Sequence, residues 1–530
     1  MSESSVSTGN GSETNGTVCI IGAGPGGIAA GKVFLEDGYD VTIYEKNSEL
    51  GGTWSSENRY LNLNHQLPDK VTEFIGKPWG KSYAPAEEFQ SYQESYAKEF
   101  GVENHIEFQT EVVKARKNAN EWVIITQEIK KSRQNKERFD YLVVCSGAYD
   151  IPNRPKIADE SKFHGEILHS SEVKSKSQLK NKKIAIIGGG KSAADIATES
   201  AKFSTSTAMI FRKANWFPPK KLWKIVPQNA GLYTRIGESV LPMYYNENTW
   251  RWMDRLLHPL TFSFLKLLEN GVKVGSDYRN LPDDLVPDSS VLAVQRAGVM
   301  PDEFPSFIQN EEIQPIKGTV KKLDQDGIIL DSGQKLHADK IILATGYRSE
   351  YPFLPESIRL KKDGDYYLYR GILPLNEDDI GILGRREVLN NFLSMNLSAH
   401  WLSDYFQGQL SDMPNKDVMK ERIESRLAWM DENIPLHKGY YYGAYDIHTF
   451  DELLIDMGIP TRRSHSFATE WLGINARGKQ YRGLIEERQA DERESTPLTA
   501  ASGVYLSLFS VMLAVPILYI LKNYKVRDKR

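Results

Sequence analysis

The sequence predicts an α/β protein of two doubly wound domains, the second inserted in the first, followed by a C-terminal transmembrane helix. Three features lead to that expectation: a strand, glycine turn, helix, strand pattern that opens at Thr17; its return at Lys183; and nineteen consecutive residues without a charge from Gly503 to Leu521. At 530 residues the chain exceeds what one domain usually holds. A composition of 40% hydrophobic and 26% charged residues is that of a globular protein with a large core. Its net charge of -4 offers no basic footprint for nucleic acid, so that partner is excluded.

Residues 1–16, MSESSVSTGNGSETNG, are small and polar, and read as a disordered tail rather than a signal peptide. From 17 to 155 the expectation is a first nucleotide-binding domain: strand Thr17 to Ile21, turn GAGPGG, helical run IAAGKVFLEDG and strand Asp40 to Glu45. In that turn Gly22 permits the tight bend, Gly24 lets backbone approach a pyrophosphate, and Gly27 lets helix and strand pack closely. The helix N-terminus then supplies amide donors to the phosphate. Glu45, twenty-three positions after Gly22, stands near the offset at which a carboxylate meets a ribose hydroxyl pair. The only cysteines, Cys19 and Cys145, fall in apolar strands 126 positions apart, which excludes the close redox pair of a disulfide reductase.

Residues 156–320 read as a second such domain, with strand Lys183 to Ile187, turn Gly188, Gly189, Gly190, and then Lys191, Ser192 and Ala193 opening a helix. Arg212, at the end of the strand that follows, is read as the counterpart of Glu45, followed by Lys213. A carboxylate there would repel a 2′-phosphate, whereas arginine grips one, so NADPH is expected over NADH. Two Rossmann-like dinucleotide sites imply a flavin in the first domain, a nicotinamide in the second, and hydride chemistry between them. The aromatic-rich stretch from Trp216 to Phe264 reads either as a lipid-facing surface or substrate tunnel, or as the core of an inserted helical subdomain.

Residues 321–450 are expected to return to the first domain. VKKLDQDGIILDSGQKLHADK reads as a β-hairpin, and Ile341 to Tyr347 as the strand that closes the first domain, with crossings near Asn153 to Pro155 and around Gly318. A C-terminal extension, 451–502, leads to the membrane anchor, 503–521, and a basic end from Lys522 to Arg530. Pro516 within the span is tolerable in a membrane helix and costly in a soluble one. With no signal peptide, the catalytic part stays cytosolic, with the endoplasmic reticulum expected ahead of the mitochondrial outer membrane.

Four further elements join the two turns: Gly51-Gly52-Thr53-Trp54 directly after Glu45 and Lys46; Phe163, Gly165 and His169 between the domains; Ser192 and Asp195 after the second turn; and Ala344-Thr345-Gly346-Tyr347. With them the chain resembles the flavin-containing monooxygenase family from Thr17 to about Gly408. The resemblance implies that Lys46, Gly52, Thr53, Trp54, Thr345 and Gly346 join the two turns in binding FAD and NADPH. It also implies that Asn64, in LNLNHQLP, stands over flavin and nicotinamide, with Asn62 as the other register. The activity implied is hydride transfer from NADPH to FAD, uptake of O₂, and oxygenation of a nucleophilic nitrogen or sulfur of a small lipophilic substrate by a C4a-hydroperoxyflavin. Because the cofactor carries the hard chemistry, no metal site or Ser-His-Asp set is needed, and none is read. Val173 stands where Baeyer-Villiger relatives carry tryptophan, which counts against ketone oxygenation. An NADPH oxidase releasing H₂O₂, a Baeyer-Villiger enzyme and a non-catalytic, membrane-tethered flavoprotein sensor stay open as alternatives.

Overall fold

The computed structural model describes residues 14–490, apart from 70, 132, 231–232, 240–243, 245–250, 292–297, 359, 411–412, 435–440, 443–445, 465 and 473–476. Both βαβ openings form where the sequence places them. In the first, β1 (Thr17–Ile21) leads through the glycine turn to α1 (Pro25–Glu36) and β2 (Asp40–Tyr44). Pro25 suits the first helical turn, where its missing N–H has no partner to lose. Small residues along α1 let it lie against the sheet, and at Gly31 a Cβ would stand 2.8 Å from Ile43 and Val102.

The first sheet adds β3 (Ile106–Glu107) and β4 (Tyr141–Val144). The chain then leaves through the short strand β5 (Ile151–Pro152). The second sheet comprises β6 (Glu166–His169), β7 (Lys183–Ile187), β8 (Ser206–Phe211), β9 (Ile313–Lys317) and β10 (Lys340–Leu343), with α2 (Lys191–Phe203) after β7. The chain returns through β11 (Tyr347–Arg348) and completes the first sheet with β12 (Ile380–Ile382). The strand orders are β12-β4-β1-β2-β3 and β9-β8-β7-β10-β6, each all parallel, with the strand that feeds the glycine turn at the centre. Parallel strands covered on both faces need apolar residues at nearly every position, which is why β1, β4, β7 and β10 read as unbroken apolar runs.

Two readings are corrected by this pairing. The strand expected to close the first domain, Ile341 to Tyr347, belongs to the second: Ile341 pairs with Ala185 of β7 and with Ile167 of β6. Closure falls to β12, in which Gly381 lies opposite Val143. The return crossing accordingly lies at β11, antiparallel to β5, and not around Gly318, which sits between β9 and the antiparallel sheet of 320–337. An apolar run carries no label for which parallel sheet it will join, and that explains the misplacement. The expected hairpin does form, with a third strand, Lys335–His337, added.

A three-stranded antiparallel sheet, Thr110–Asn118, Glu121–Glu128 and Arg133–Phe139, was not anticipated. It packs Trp122, Ile124 and Phe139 against Tyr44, Leu142 and Val144 of the first sheet. Among the aromatics between 216 and 264, Trp216, Phe217 and Tyr233 are core residues, whereas Phe262 is half exposed. After β12, α3 (Asn391–Phe406) buries Leu393, Leu397 and Trp401 in the same core as α1, and the short α4 (Leu484–Gln489) docks beside them. Among the described residues no helix is long and apolar enough to cross a membrane. The expected anchor, 503–521, lies outside the described residues, as does most of the N-terminal tail.

Candidate cofactor cavity

A cavity of about 640 Å³ opens at the C-terminal ends of β1, β2, β4 and β12, where open parallel sheets bind their ligands. The turn that forms its base is fixed by backbone geometry. Gly22 adopts φ +100° and its N–H donates to the Tyr44 carbonyl at 2.8 Å; a Cβ there would stand 2.8 Å from the Cys145 carbonyl oxygen. At Gly27 a Cβ would stand 1.8 Å from the Gly22 carbonyl oxygen. Gly24 is the N-cap of α1 and carries no side-chain cap, so the first-turn amides remain free to receive an anion.

Glu45 is buried on the wall. One carboxylate oxygen accepts from the Ala23 N–H at 2.8 Å, the other from the Asn47 backbone and side-chain N–H groups at 2.9 and 2.8 Å. Burial raises its pKa and these donors oppose the rise. Lys46 pairs with Asp150, and both line the cavity. Gly52, Thr53 and Trp54 form one 3₁₀ turn on the wall, with Gly52 against Gly24. The Trp54 indole meets Phe89 edge-on at 4.9 Å. A glycine-cleared approach at a helix N-terminus, with a buried carboxylate at the end of the second strand, fits the pyrophosphate and ribose of FAD.

The second turn repeats the first. Gly188 donates to the Ile210 carbonyl at 2.9 Å, and a Cβ on it would stand 2.2 Å from the Ala344 carbonyl oxygen. Gly190 faces open space, which leaves its backbone accessible, and Ala193 is fully buried where the third glycine would pack. The strand register corrects the placement of Arg212. Ile21 pairs with Tyr44 and Ile187 with Ile210, so the counterpart of Glu45 is Phe211, and Arg212 corresponds to Lys46. Phe211 is buried and Arg212 exposed, so no carboxylate stands at this strand end and a cation does.

Several expected site residues lie elsewhere. Thr345 donates through its hydroxyl to the Asn153 carbonyl at 2.5 Å, and the Gly346 carbonyl accepts from His169 Nε2 at 3.0 Å; both serve the crossing between the units rather than the cavity wall. Asn64 is also off the wall, its amide donating to the Asn62 carbonyl at 2.9 Å. Asn62 itself, at φ +62°, donates to Glu199 of α2. The side chain of this loop that packs behind the wall is His65. It lies against Trp54 and Phe392, and burial pushes its pKa down to about 3, so it is neutral. Phe392, Met395 and Cys145 were missed as wall residues. Asn390, whose side chain caps α3 by accepting from the Leu393 N–H, is the one local signal that could have located the start of that helix.

Two nucleotide-binding turns on two parallel sheets, one of them opening into a flavin-sized cavity, define a two-nucleotide flavoprotein oxidoreductase. The model of the flavin-binding monooxygenase-like family matches residues 15–460, and the chain belongs to that family. Dimethylaniline monooxygenase (N-oxide-forming) 2 of Oryctolagus cuniculus is 27% identical over 468 residues, 83% of this chain and 82% of that protein. Among solved structures, S-allyl-L-cysteine S-oxygenase from Allium sativum is similar with a TM-score of 0.57 at 20% identity, covering 93% of this chain and 98% of that one. Cyclohexanone monooxygenase with bound ε-caprolactone is similar with a TM-score of 0.64 at 17% identity, covering 83% and 97%. The protein is thus a flavin-dependent monooxygenase, an oxidoreductase whose cofactors are FAD and NADPH.

Proposed function

We propose that the protein uses O₂ to oxygenate a nucleophilic nitrogen or sulfur of a small lipophilic substrate, and that residues 503–521 tether it to the endoplasmic reticulum membrane with the catalytic units in the cytosol. The observation that carries the substrate reading is the presence of Trp54, Phe392 and Met395 as apolar side chains on the cavity wall. Such a surface receives an apolar molecule and excludes water from the reacting centre. The names of the N-oxide-forming relative and of the garlic S-oxygenase support nitrogen and sulfur as the atoms oxidised. FAD, when bound, supplies the redox and oxygen chemistry. The chain's own part is to hold the pyrophosphate at α1, the ribose at Glu45 and the ring against Trp54. For Asn64 to act over the flavin and nicotinamide, its amide would have to leave the Asn62 carbonyl and turn toward the cavity.

The test compares the full chain with one ended at residue 502. The full chain is expected in the membrane fraction and the shortened one in the soluble fraction. Given FAD, NADPH, ¹⁸O₂ and a tertiary amine or a thioether, the shortened chain is expected to place one ¹⁸O in the N-oxide or sulfoxide per NADPH consumed. Stoichiometric H₂O₂ without labelled product would replace this reading with an oxidase; a labelled ester from a cyclic ketone alone would replace it with a Baeyer-Villiger enzyme. No NADPH consumption would leave a flavoprotein sensor.

We assign the 2′-phosphate of NADPH to Arg212. Arg212→Ala is expected to raise KM for NADPH about 10- to 100-fold, the loss of roughly 1.4 to 2.8 kcal/mol of charge-assisted binding, and to leave NADH kinetics nearly unchanged. An unchanged NADPH to NADH preference would move the assignment to another cation.

A further inference from the structure

Directly after the cavity turn Gly52–Trp54, residues 57–66 leave the first unit and lie across the second. The Leu61 N–H donates to the Val173 carbonyl at 2.7 Å, and Lys174 Nζ donates to the Glu57 and Arg59 carbonyls at 2.7 and 2.9 Å. Two side chains then dock on α2, the helix that starts at the second nucleotide turn. The Tyr60 hydroxyl donates to Asp195 Oδ2 at 2.7 Å, and the Asn62 amide donates to Glu199 Oε1 at 3.1 Å. Asp195 and Glu199 lie four residues apart, hence on one face of α2. Each carboxylate is also held by a lysine of the same helix, Lys191 at 2.6 Å and Lys202 at 3.0 Å.

Tyr60 and Asp195 are both buried, 7% and 3% exposed, so their bond is shielded from water. Burial and the adjacent carboxylate hold the Tyr60 phenol far above its ordinary range, and it remains a donor at any working pH. The covalent crossings between the units, β5 and β11, share only two residue pairs and make a narrow hinge. Other contacts between the units, Arg235 with Asp451 and Glu470 and the Val299 N–H with Gln66, lie away from α2, and those that residues 57–66 make on α2 itself are the bonds of Tyr60 and Asn62.

We propose that Tyr60 and Asp195 are positioning residues, whose buried hydrogen bond fixes the angle at which α2 presents the second nucleotide to the cavity six residues away at Trp54. Hydride transfer requires the nicotinamide carbon that donates and the flavin nitrogen that accepts to lie within about 3 to 3.5 Å, and a displacement near 1 Å can lower the rate by as much as ~100-fold. Slack at this clasp therefore affects the transfer step and not the affinity for either nucleotide. The inference rests on NADPH reducing the bound flavin.

Its test uses the FAD-loaded full chain. In Tyr60→Phe the rate constant for flavin reduction at saturating NADPH is expected to fall about 10-fold. The NADPH dissociation constant, the flavin content and the rate of reduction by dithionite, which needs no second unit, are expected to stay at wild-type values. Asp195→Asn keeps an acceptor for the phenol and is expected to react within about 3-fold of wild type, whereas Asp195→Ala should match Tyr60→Phe. A readout independent of turnover is hydrogen-deuterium exchange without NADPH. Peptides covering 57–66 and 191–203 should exchange faster in Tyr60→Phe, and those covering 17–44 should not change. Wild-type reduction and wild-type exchange in Tyr60→Phe would overturn the clasp, as would a loss confined to flavin content or thermal stability. If wild type itself is not reduced by NADPH, the functional reading fails while the exchange comparison still decides on the clasp.

Discussion

Gly27→Ala is expected to yield a protein that does not retain flavin. The added Cβ would stand 1.8 Å from the Gly22 carbonyl oxygen, and neither partner can yield alone. Gly22 is held at φ +100° by its bond to Tyr44 and by the Cys145 carbonyl behind it, and Gly27 lies in the first turn of α1. Relief requires α1 to move away from β1, which carries the free amides of its N-terminus out of line with a pyrophosphate. Overpacking of this kind costs about 1 to 3 kcal/mol in a core. Here the displaced amides are themselves the binding groups, and FAD affinity should fall by at least ~100-fold, about 2.8 kcal/mol. The ratio of flavin to protein absorbance after purification, followed by FAD titration, measures it.

Gly190→Ala is the matched comparison, because a Cβ there meets nothing within 4 Å and the backbone is extended at φ -94°. That variant should keep its flavin. Any effect should be confined to NADPH, whose backbone approach the methyl group would obstruct. Full flavin occupancy with wild-type affinity in Gly27→Ala would refute the account of the turn given above.

The second large effect concerns stability. Arg488, on α4, is 3% exposed; its Nε and Nη2 donate to Asp404 Oδ1 at 3.0 and 2.7 Å, its Nη2 to Asp37 Oδ2 at 2.8 Å, and its Nη1 to His400 Nδ1 at 2.8 Å. Asp37 ends α1 and Asp404 lies in α3, so one guanidinium joins the helix that bears the flavin turn to the C-terminal extension. Arg488→Met removes the guanidinium that both Asp37 and Asp404 pair with and leaves two buried carboxylates without it. Breaking a buried ion pair in this way costs about 3 to 5 kcal/mol. At roughly 2 to 4 °C per kcal/mol, the unfolding midpoint should drop by about 6 to 20 °C.

Arg488→Lys should recover little, since an ammonium cannot span three acceptors with a planar fork. Adding Asp37→Asn and Asp404→Asn to Arg488→Met should restore part of the loss, because no uncompensated charge then remains. A midpoint within 2 °C of wild type in Arg488→Met, read by calorimetry, would mean that the extension is not part of the cooperative unit.

The positions that were legible in the sequence are those where the backbone itself dictates the residue. At Gly22, Gly27 and Gly188 the bend or the close approach admits no side chain, so identity and spacing alone announce the turn and its ligand class. Glu45 was legible for a related reason, since it follows the turn at a distance set by one helix and one strand. Arg212 lies one residue beyond the counterpart of Glu45, since both the twenty-three-residue offset from Gly188 and the strand pairing fall on Phe211.

What the sequence alone determined is local and periodic: two βαβ openings, their glycine turns, the buried strands and the nucleotides they can hold. Only the tertiary structure decided which sheet Ile341 joins, that Thr345 and Gly346 serve the crossing, that Tyr60 reaches Asp195, and that Arg488 meets Asp37 across 451 positions. The physical reason is range. Backbone turns and strand periodicity are fixed by neighbours a few bonds away, whereas a buried charge or hydroxyl finds its partner only after distant segments have packed.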